Sequence, residues 1–278
     1  MFDAARLSEV DLQPLDTVVS ELLSGSSVRS DDLMVVGAAC RDLLHRGLGL
    51  TTGVLRTADV DVGLVVSDLD SYTRLTRKFP PIATRGNDIR FRIAGLAVDL
   101  IPFGAVEDPP GAVSVSKSSD HLSVVGFREV HAAAYSLPLP SSASILLPSV
   151  PGFAALKLAG WLDRSEYGHF KDGQDLSLAM SWYDVDCVES GWCHDGPGLS
   201  IWASYDYDVG LAAAHRLGQE AIELLGPRVS AGSAARWPTT SRAEFVKAVR
   251  RGQDSMPVAE VRGRDLVRAF EIGAGLRG

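Results

Sequence analysis

Leu33-Met34-Val35-Val36-Gly37 is a short apolar run that ends in glycine, and a helical pattern follows from Ala38 to Leu48. An apolar run of this length is consistent with a strand buried on both faces. The glycine lets the backbone approach a phosphate closely, and the start of a helix favours anions. Taken alone, the glycine is better explained by a tight turn. The segment therefore predicts a strand, a turn and a helix.

Three aspartates on strand-like runs indicate possible chemistry. Asp59 and Asp61 lie in a pattern that alternates at its start, so their side chains point to the same face of the predicted strand. Asp99 lies in an otherwise apolar run, where a carboxylate is costly unless it is paired or bound to a cation. Carboxylates on adjacent strands suit a pair of Mg²⁺ ions. An isolated Asp-x-Asp pair, by contrast, is usually only solvated.

The neighbouring segments predict a mixed sheet with flanking helices. Apolar residues at helical spacing indicate a helix over residues 10–23, and Asp68 can cap another helix over residues 69–79. Residues 89–93 and 96–102 have strand character on either side of Ala94-Gly95, and a two-residue turn of this kind predicts a hairpin.

The chain changes character after an uncharged connector, residues 132–156. Four prolines would break a membrane helix there, so we expect two short strands and a connecting segment. Helical patterns then follow over residues 153–162, 171–183, 209–225, 242–251 and 258–272. We predict an α+β protein with a mixed β-sheet and flanking helices over residues 1–150. A mostly helical C-terminal domain is predicted over residues 151–278.

The charge balance limits the possible partners. Of the 278 residues, 46% are hydrophobic, which is typical of a globular protein. The formal net charge is −8, which excludes a wholly basic nucleic-acid binder. Residues 35–100 nevertheless contain nine Lys or Arg against seven Asp. Local basic groups thus surround the aspartates in sequence, and a late helix adds more. Near the aspartates these basic residues are Arg74, Arg77, Lys78, Arg85, Arg90 and Arg92, and in the late helix they are Arg242, Lys247, Arg250 and Arg251.

Cysteine usage and the N-terminus predict a cytoplasmic protein. Cys40, Cys187 and Cys193 are too few to build a disulfide framework, which fits a reducing compartment. The first residues lack the basic and apolar regions of a signal peptide. No membrane partner is expected.

Three motifs together resemble the nucleotidyltransferases of the DNA polymerase β-like superfamily. They are Gly37-Ala38-Ala39-Cys40-Arg41-Asp42, Arg56-Thr57-Ala58-Asp59-Val60-Asp61 and Val98-Asp99-Leu100-Ile101-Pro102-Phe103-Gly104. Within that superfamily the chain most resembles the toxin nucleotidyltransferases of the AbiEii/AbiGii type. Leu156-Lys157-Leu158-Ala159 and Lys171-Asp172-Gly173-Gln174-Asp175-Leu176 resemble that family's downstream lysine and Lys-Asp-x-x-Asp-Leu motifs. The resemblance spans residues 30–185.

The resemblance implies a nucleotidyltransferase fold and a role for each matching residue of the first half. Gly37 and the turn after it would face the triphosphate. Asp59 and Asp61 would bind the catalytic Mg²⁺ or Mn²⁺ ions. Asp99 would be the third metal-binding carboxylate and a possible base for the acceptor hydroxyl.

The resemblance also assigns Lys157 and Asp175 in the second half. Lys157 would reach the phosphates, and Asp175 would close the site from the helical side. One departure concerns the loop, because Ala38 stands where the superfamily usually has a serine. The missing hydroxyl predicts weaker contact with a phosphate, and Arg41 would partly replace it with a planar guanidinium.

We therefore expect a metal-dependent nucleotidyltransferase that moves a nucleoside monophosphate from an NTP to an acceptor hydroxyl. By resemblance, the acceptor would be the 3′ end of tRNA or another RNA. The context would be a bacterial toxin–antitoxin pair with a cognate antitoxin protein. Two alternatives stay open: transfer to a small molecule such as an antibiotic, which the acidic net charge favours, and a non-catalytic nucleotide-binding module, which Ala38 makes conceivable.

Overall fold

The computed structural model describes residues 2–50, 59–82, 88–115, 121–252 and 259–276. The chain divides into two compact units, Phe2–Ser149 and Val150–Gly278, which we call the N-terminal unit and the C-terminal unit. The predicted α+β class is confirmed, with a mixed sheet and flanking helices followed by a helical region.

Eight strands and four α-helices are described in the N-terminal unit. The strands are β1 (Leu33–Val36), β2 (Val60–Val66), β3 (Arg90–Ile93), β4 (Leu96–Gly104), β5 (Ala112–Val113), β6 (Leu122–Ser123), β7 (Tyr135–Pro138) and β8 (Ser144–Leu147). The helices are α1 (Glu9–Leu23), α2 (Gly37–Gly47), α3 (Leu69–Thr76) and α4 (Phe127–Ala132).

Six of these strands form one mixed sheet in the order β3-β4-β2-β1-β8-β7, and β5 pairs with β6. The pairs β2–β4 and β1–β8 are parallel, whereas the other neighbours in the large sheet are antiparallel. All four residues of β1 are buried, as its continuous apolar run predicts for a strand in the middle of a sheet.

Local sequence signals explain where the helices of this unit begin and end. Ser8 and Asp11 form a capping box at the start of α1, whose buried face includes Val18 and Leu22. Asp68 caps α3 by accepting a hydrogen bond from the Ser71 backbone N–H. Helix α3 ends at Thr76, three residues before the predicted end.

The β3–β4 hairpin turns at the predicted residues. Ala94 and Gly95 both have positive φ, 50° and 83°, as a two-residue turn of the I′ kind requires. Ile93 therefore pairs with Leu96, and the register continues outward from this pair.

The C-terminal unit is helical throughout the part that the structure describes. Its α-helices are α5 (Val150–Arg164), α6 (Lys171–Glu189), α7 (Gly196–Ser204), α8 (Val209–Arg236), α9 (Arg242–Gly252) and α10 (Glu260–Gly273). Helix α8 is interrupted at Gly226, whose φ of 70° is not helical, so its first part ends where the sequence predicted. The predicted start of the last helix, at residue 258, lies outside the described residues. The core of the C-terminal unit includes the buried side chains of Trp161, Trp182, Phe245 and Phe270.

Candidate active site

Two of the three predicted carboxylates lie side by side on the sheet. Asp61 on β2 is the direct register partner of Asp99 on the parallel strand β4. Adjacent strands are about 4.8 Å apart, and directly paired residues point to the same face. The preceding pair on these strands is Val60 and Val98. Both valines are buried, and their side chains point to the opposite face of the sheet from the two aspartates. The sheet thus presents two aspartates together on one face.

The start of α2 is closely packed against Asp61. Val36, the last residue of β1, pairs with Asp61, and Gly37 follows with a φ of +61°. A Cβ atom on Gly37 would lie 1.8 Å from Oδ2 of Asp61, so no side chain fits there unless the carboxylate moves. Two features therefore require a glycine at position 37: the positive φ of the backbone and the closeness of the Asp61 carboxylate.

Asp59 is the third predicted carboxylate, and it lies one residue before β2 begins. Its Oδ2 accepts a hydrogen bond of 2.5 Å from Nη2 of Arg90. Arg90 lies on β3 and pairs in register with Asp99, whose Oδ1 is 3.7 Å from Nε of the same guanidinium. The bond to Asp59 is the main cause that raises the pKa of Arg90. A single cation thus bridges two of the three predicted metal ligands.

The donor chemistry of this cluster fits a divalent cation. Three carboxylates supply only oxygen atoms, which Mg²⁺ and Mn²⁺ prefer. Arg90 offsets part of the negative charge of Asp59 and Asp99. In the described residues, no three His, Cys, Asp or Glu side chains are already assembled as a metal-ligand group.

Tyr72 supports the strand that carries Asp99. Its hydroxyl, on α3, donates a hydrogen bond of 2.8 Å to the carbonyl of Leu100, the residue after Asp99. Burial raises the pKa of Tyr72 well above its usual range, so the phenol stays a neutral donor. Sequence reasoning missed this contact because it joins residues 28 positions apart.

The other predicted residues of the loop lie at the first turns of α2. Ala38 is buried and offers no hydroxyl. Arg41 donates from Nε and Nη2 to Oδ1 of Asp42, at 2.9 and 2.7 Å. Its guanidinium therefore has a carboxylate partner on the same helix, so contact with a phosphate would compete with that pair.

Lys157 and Asp175 contact each other inside the C-terminal unit. Nζ of Lys157 on α5 is 2.5 Å from Oδ2 of Asp175 and 3.5 Å from Oδ1 of Asp172, both on α6. Arg164 donates to both oxygens of Asp172. Lys157, Asp172 and Asp175 are all buried, and opposite charges offset one another. The pairing links α5 to α6, and the roles implied by resemblance stay predictions.

The basic residues singled out in the sequence belong to both units. Arg74 and Lys78 line a cavity of about 560 Å³ near the last residues of β2, such as Val66. That region is about 16 Å along the strand from Asp61, at roughly 3.3 Å per residue. In α9, Arg242, Lys247 and Arg250 each form an ion pair within the C-terminal unit. Arg85 lies outside the described residues.

The contacts of Arg90 with Asp59 and Asp99 were not predicted from the sequence. The sequence pattern groups Arg90 with the basic side chains, whereas in the structure its guanidinium contacts Asp59 and Asp99. The signal was present: a two-residue turn at Ala94-Gly95 pairs residue 93 with 96, and counting outward pairs Arg90 with Asp99.

No protein-family model matches the chain, and no curated protein matches it significantly. In the part of the chain that the structure describes, no helix has the length and apolar character needed to span a membrane.

Proposed function

We propose that this chain is a metal-dependent nucleotidyltransferase that moves a nucleoside monophosphate from an NTP to an acceptor hydroxyl. The observation that supports it best is the register pairing of Asp61 with Asp99, beside Gly37 at the start of α2. Gly37 opens α2, and the backbone N–H groups at the start of a helix favour phosphates.

Asp59, Asp61 and Asp99 bind Mg²⁺ or Mn²⁺ in this proposal. When bound, such ions neutralise the triphosphate and favour ionisation of the acceptor hydroxyl. Gly37 keeps the backbone close to Asp61, so nucleotide phosphates and carboxylates meet in one place. Ala38 contributes only backbone, and Arg41 contributes a guanidinium when it leaves Asp42.

The reaction is an in-line displacement at the α-phosphorus. The acceptor oxygen forms a bond to the α-phosphorus. The bond from the α-phosphorus to the oxygen that bridges it to the β-phosphorus breaks, and pyrophosphate leaves. Asp99 takes the proton of the hydroxyl. Catalysis of this kind depends on positioning and charge neutralisation, which rigid strands supply better than loops do.

The resemblance to the AbiEii/AbiGii type supports the remaining details of the proposal. The acceptor is the 3′ end of tRNA or another RNA, and the setting is a cytoplasmic toxin–antitoxin pair with an antitoxin protein as partner. Lys157 binds the triphosphate and Asp175 assists from the helical unit.

Transfer of label from [α-³²P]NTPs to total RNA tests the proposal. We expect labelling that requires Mg²⁺ or Mn²⁺, stops with EDTA, and falls at least about 100-fold in Asp61→Asn, because one oxygen ligand loses its charge. Asp70→Asn is the matched control: it makes the same charge change at an exposed position of α3 and should keep wild-type activity.

The same assay separates the alternatives. Asp61-dependent release of pyrophosphate without labelled RNA would redirect the proposal to a small-molecule acceptor, which a panel of aminoglycosides would then test. NTP binding without transfer to RNA, protein or small molecule would contradict both enzymatic functions and favour a nucleotide-binding module.

A further inference from the structure

We propose that Arg90 is an internal counter-ion for the carboxylate cluster, and that it must leave Asp59 and Asp99 before a divalent cation binds there. The inference rests on the proposed function, because it assumes that these aspartates are metal ligands. It assigns to Arg90 a positioning role that controls loading of the site.

The contacts that carry the inference run across three neighbouring strands. Asp61, Asp99 and Arg90 occupy paired positions of β2, β4 and β3, so the three side chains share one face of the sheet. The guanidinium also reaches Asp59, at 2.5 Å. The exposed fraction of the side chain is 23% for Arg90, 20% for Asp99 and 49% for Asp59, so solvent screens the contact with Asp59 more than the contact with Asp99.

Charge explains why an arginine is needed at this position. Like charges directly opposite each other on a sheet repel. Asp61 and Asp99 are such a pair, and Asp59 adds a third negative charge nearby. A guanidinium between Asp59 and Asp99 offsets this repulsion and holds both carboxylates in place when no metal ion is bound.

The same contacts make Arg90 and a metal ion competitors. Oδ2 of Asp59 and Oδ1 of Asp99 face the guanidinium, and a divalent cation would need carboxylate oxygens of the same residues. Two cations so close together also repel each other. Binding of metal therefore displaces Arg90, and apparent metal affinity is weakened by the cost of breaking its contacts.

Arg92 provides a matched control. It lies two residues further along β3, and its Nη1 donates to the carbonyl of Gly95 instead of a carboxylate. Arg92→Gln therefore makes the same change of charge on the same strand without removing a contact to the cluster.

The test is titration of the full chain with Mn²⁺ alone, with free Mn²⁺ measured by electron paramagnetic resonance. We expect Arg90→Gln to bind Mn²⁺ about fivefold more tightly than wild type, as loss of one competing, part-exposed ion pair predicts. Arg90→Lys should fall between them, because an ammonium does not span two carboxylates. Arg92→Gln should stay within about twofold of wild type.

Thermal unfolding provides a second readout. In EDTA, Arg90→Gln should melt below wild type, because Asp59 and Asp99 then lose the positive charge that Arg90 supplies. Saturating Mn²⁺ should remove most of that difference, because the metal ion replaces the guanidinium. A purely structural arginine would leave the variant equally destabilised with and without Mn²⁺.

The possible outcomes separate the inference from the proposed function. Mn²⁺ binding that Asp61→Asn abolishes, with no gain of affinity in Arg90→Gln or Arg90→Lys, overturns the role of Arg90 and leaves the metal site intact. Absence of Asp61-dependent Mn²⁺ binding in wild type and in both Arg90 variants overturns the metal site itself. Binding seen only after Arg90 is replaced supports the inference.

Discussion

At the scale of single residues, Gly37 shows how the backbone and the chemistry constrain one position together. Its φ of +61° disfavours any side chain, and the Asp61 carboxylate occupies the space that a Cβ atom would take. The sequence indicated a turn at this glycine, but the collision with Asp61 depends on a strand 24 residues further on.

Gly37→Ala should therefore cost more than backbone strain alone. We expect a loss of about 2–3 kcal/mol in the free energy of unfolding, together with at least a tenfold loss of nucleotide transfer, because Asp61 must move. Gly25→Ala is the control: its φ of +57° is nearly the same, but no atom lies within 4 Å of the added Cβ.

Gly25→Ala should lose only about 1 kcal/mol and keep its transfer activity. Denaturant unfolding and the labelled-NTP assay measure the two effects. Equal losses of stability and activity in both variants would contradict a special role for the space beside Asp61.

At the scale of elements, the buried contact between α5 and α6 separates a structural role of Lys157 from a catalytic one. The Lys157 side chain is 11% exposed and that of Asp175 is 5% exposed, so removal of the ammonium leaves a buried carboxylate without this partner. Such a change is strongly destabilising, whereas loss of an exposed phosphate-binding lysine is not.

Lys157→Met should lower the free energy of unfolding by about 3 kcal/mol, as measured by denaturant titration. The double variant Lys157→Met/Asp175→Leu should recover part of that loss, because the buried carboxylate that lost its lysine partner is then gone. Lys171→Met, at the exposed start of α6, should be close to neutral. Unchanged stability in Lys157→Met would instead assign its importance to substrate binding.

The hairpin is the element whose register the sequence already contained. Ala94-Gly95 fixes a two-residue turn, and the turn fixes the pairing of Arg90 with Asp99. Parallel pairing of β2 with β4 was different, because parallel strands need a long crossover connection whose path no local signal specifies. The pairing of Asp61 with Asp99 therefore followed from the fold and not from the spacing of the two residues.

At the scale of the whole molecule, the thiols report that both units are well packed. Cys40 in the N-terminal unit and Cys187 and Cys193 in the C-terminal unit are all buried, and none of the three forms a disulfide. Burial raises the pKa of Cys187 to about 12 and also raises the pKa of Cys193. These two thiols therefore stay protonated at neutral pH and are poor nucleophiles.

We expect none of the three cysteines to react with Ellman's reagent within minutes at pH 8 in the folded protein, whereas all three react in guanidinium. Absorbance of the released thiolate measures the count. A single fast thiol in the folded protein would show that one unit opens locally, and Cys40→Ser would test whether α2 is the element involved.

Net charge is also a property of the whole chain, and the structure shows which charged residues form ion pairs. The total of −8 excludes a wholly basic nucleic-acid binder. In the structure, Arg41 and Arg90 contact aspartates, and Arg242, Lys247 and Arg250 contact glutamates. Much of the positive charge counted in the sequence is thus committed to internal pairs.

The sequence by itself determined the element types and the α+β class, because periodicity, capping residues and turn residues act locally. It identified the apolar run of β1, the turn at Ala94-Gly95 and the helical second half. Apart from the Arg90–Asp99 pairing that the hairpin turn fixes, it did not determine which side chains meet. The Asp59–Arg90 contact, the Asp61 contact with Gly37 and the Lys157–Asp175 pair each join residues distant in the chain. Only tertiary structure decides such contacts, since sheet register and helix packing bring those residues together.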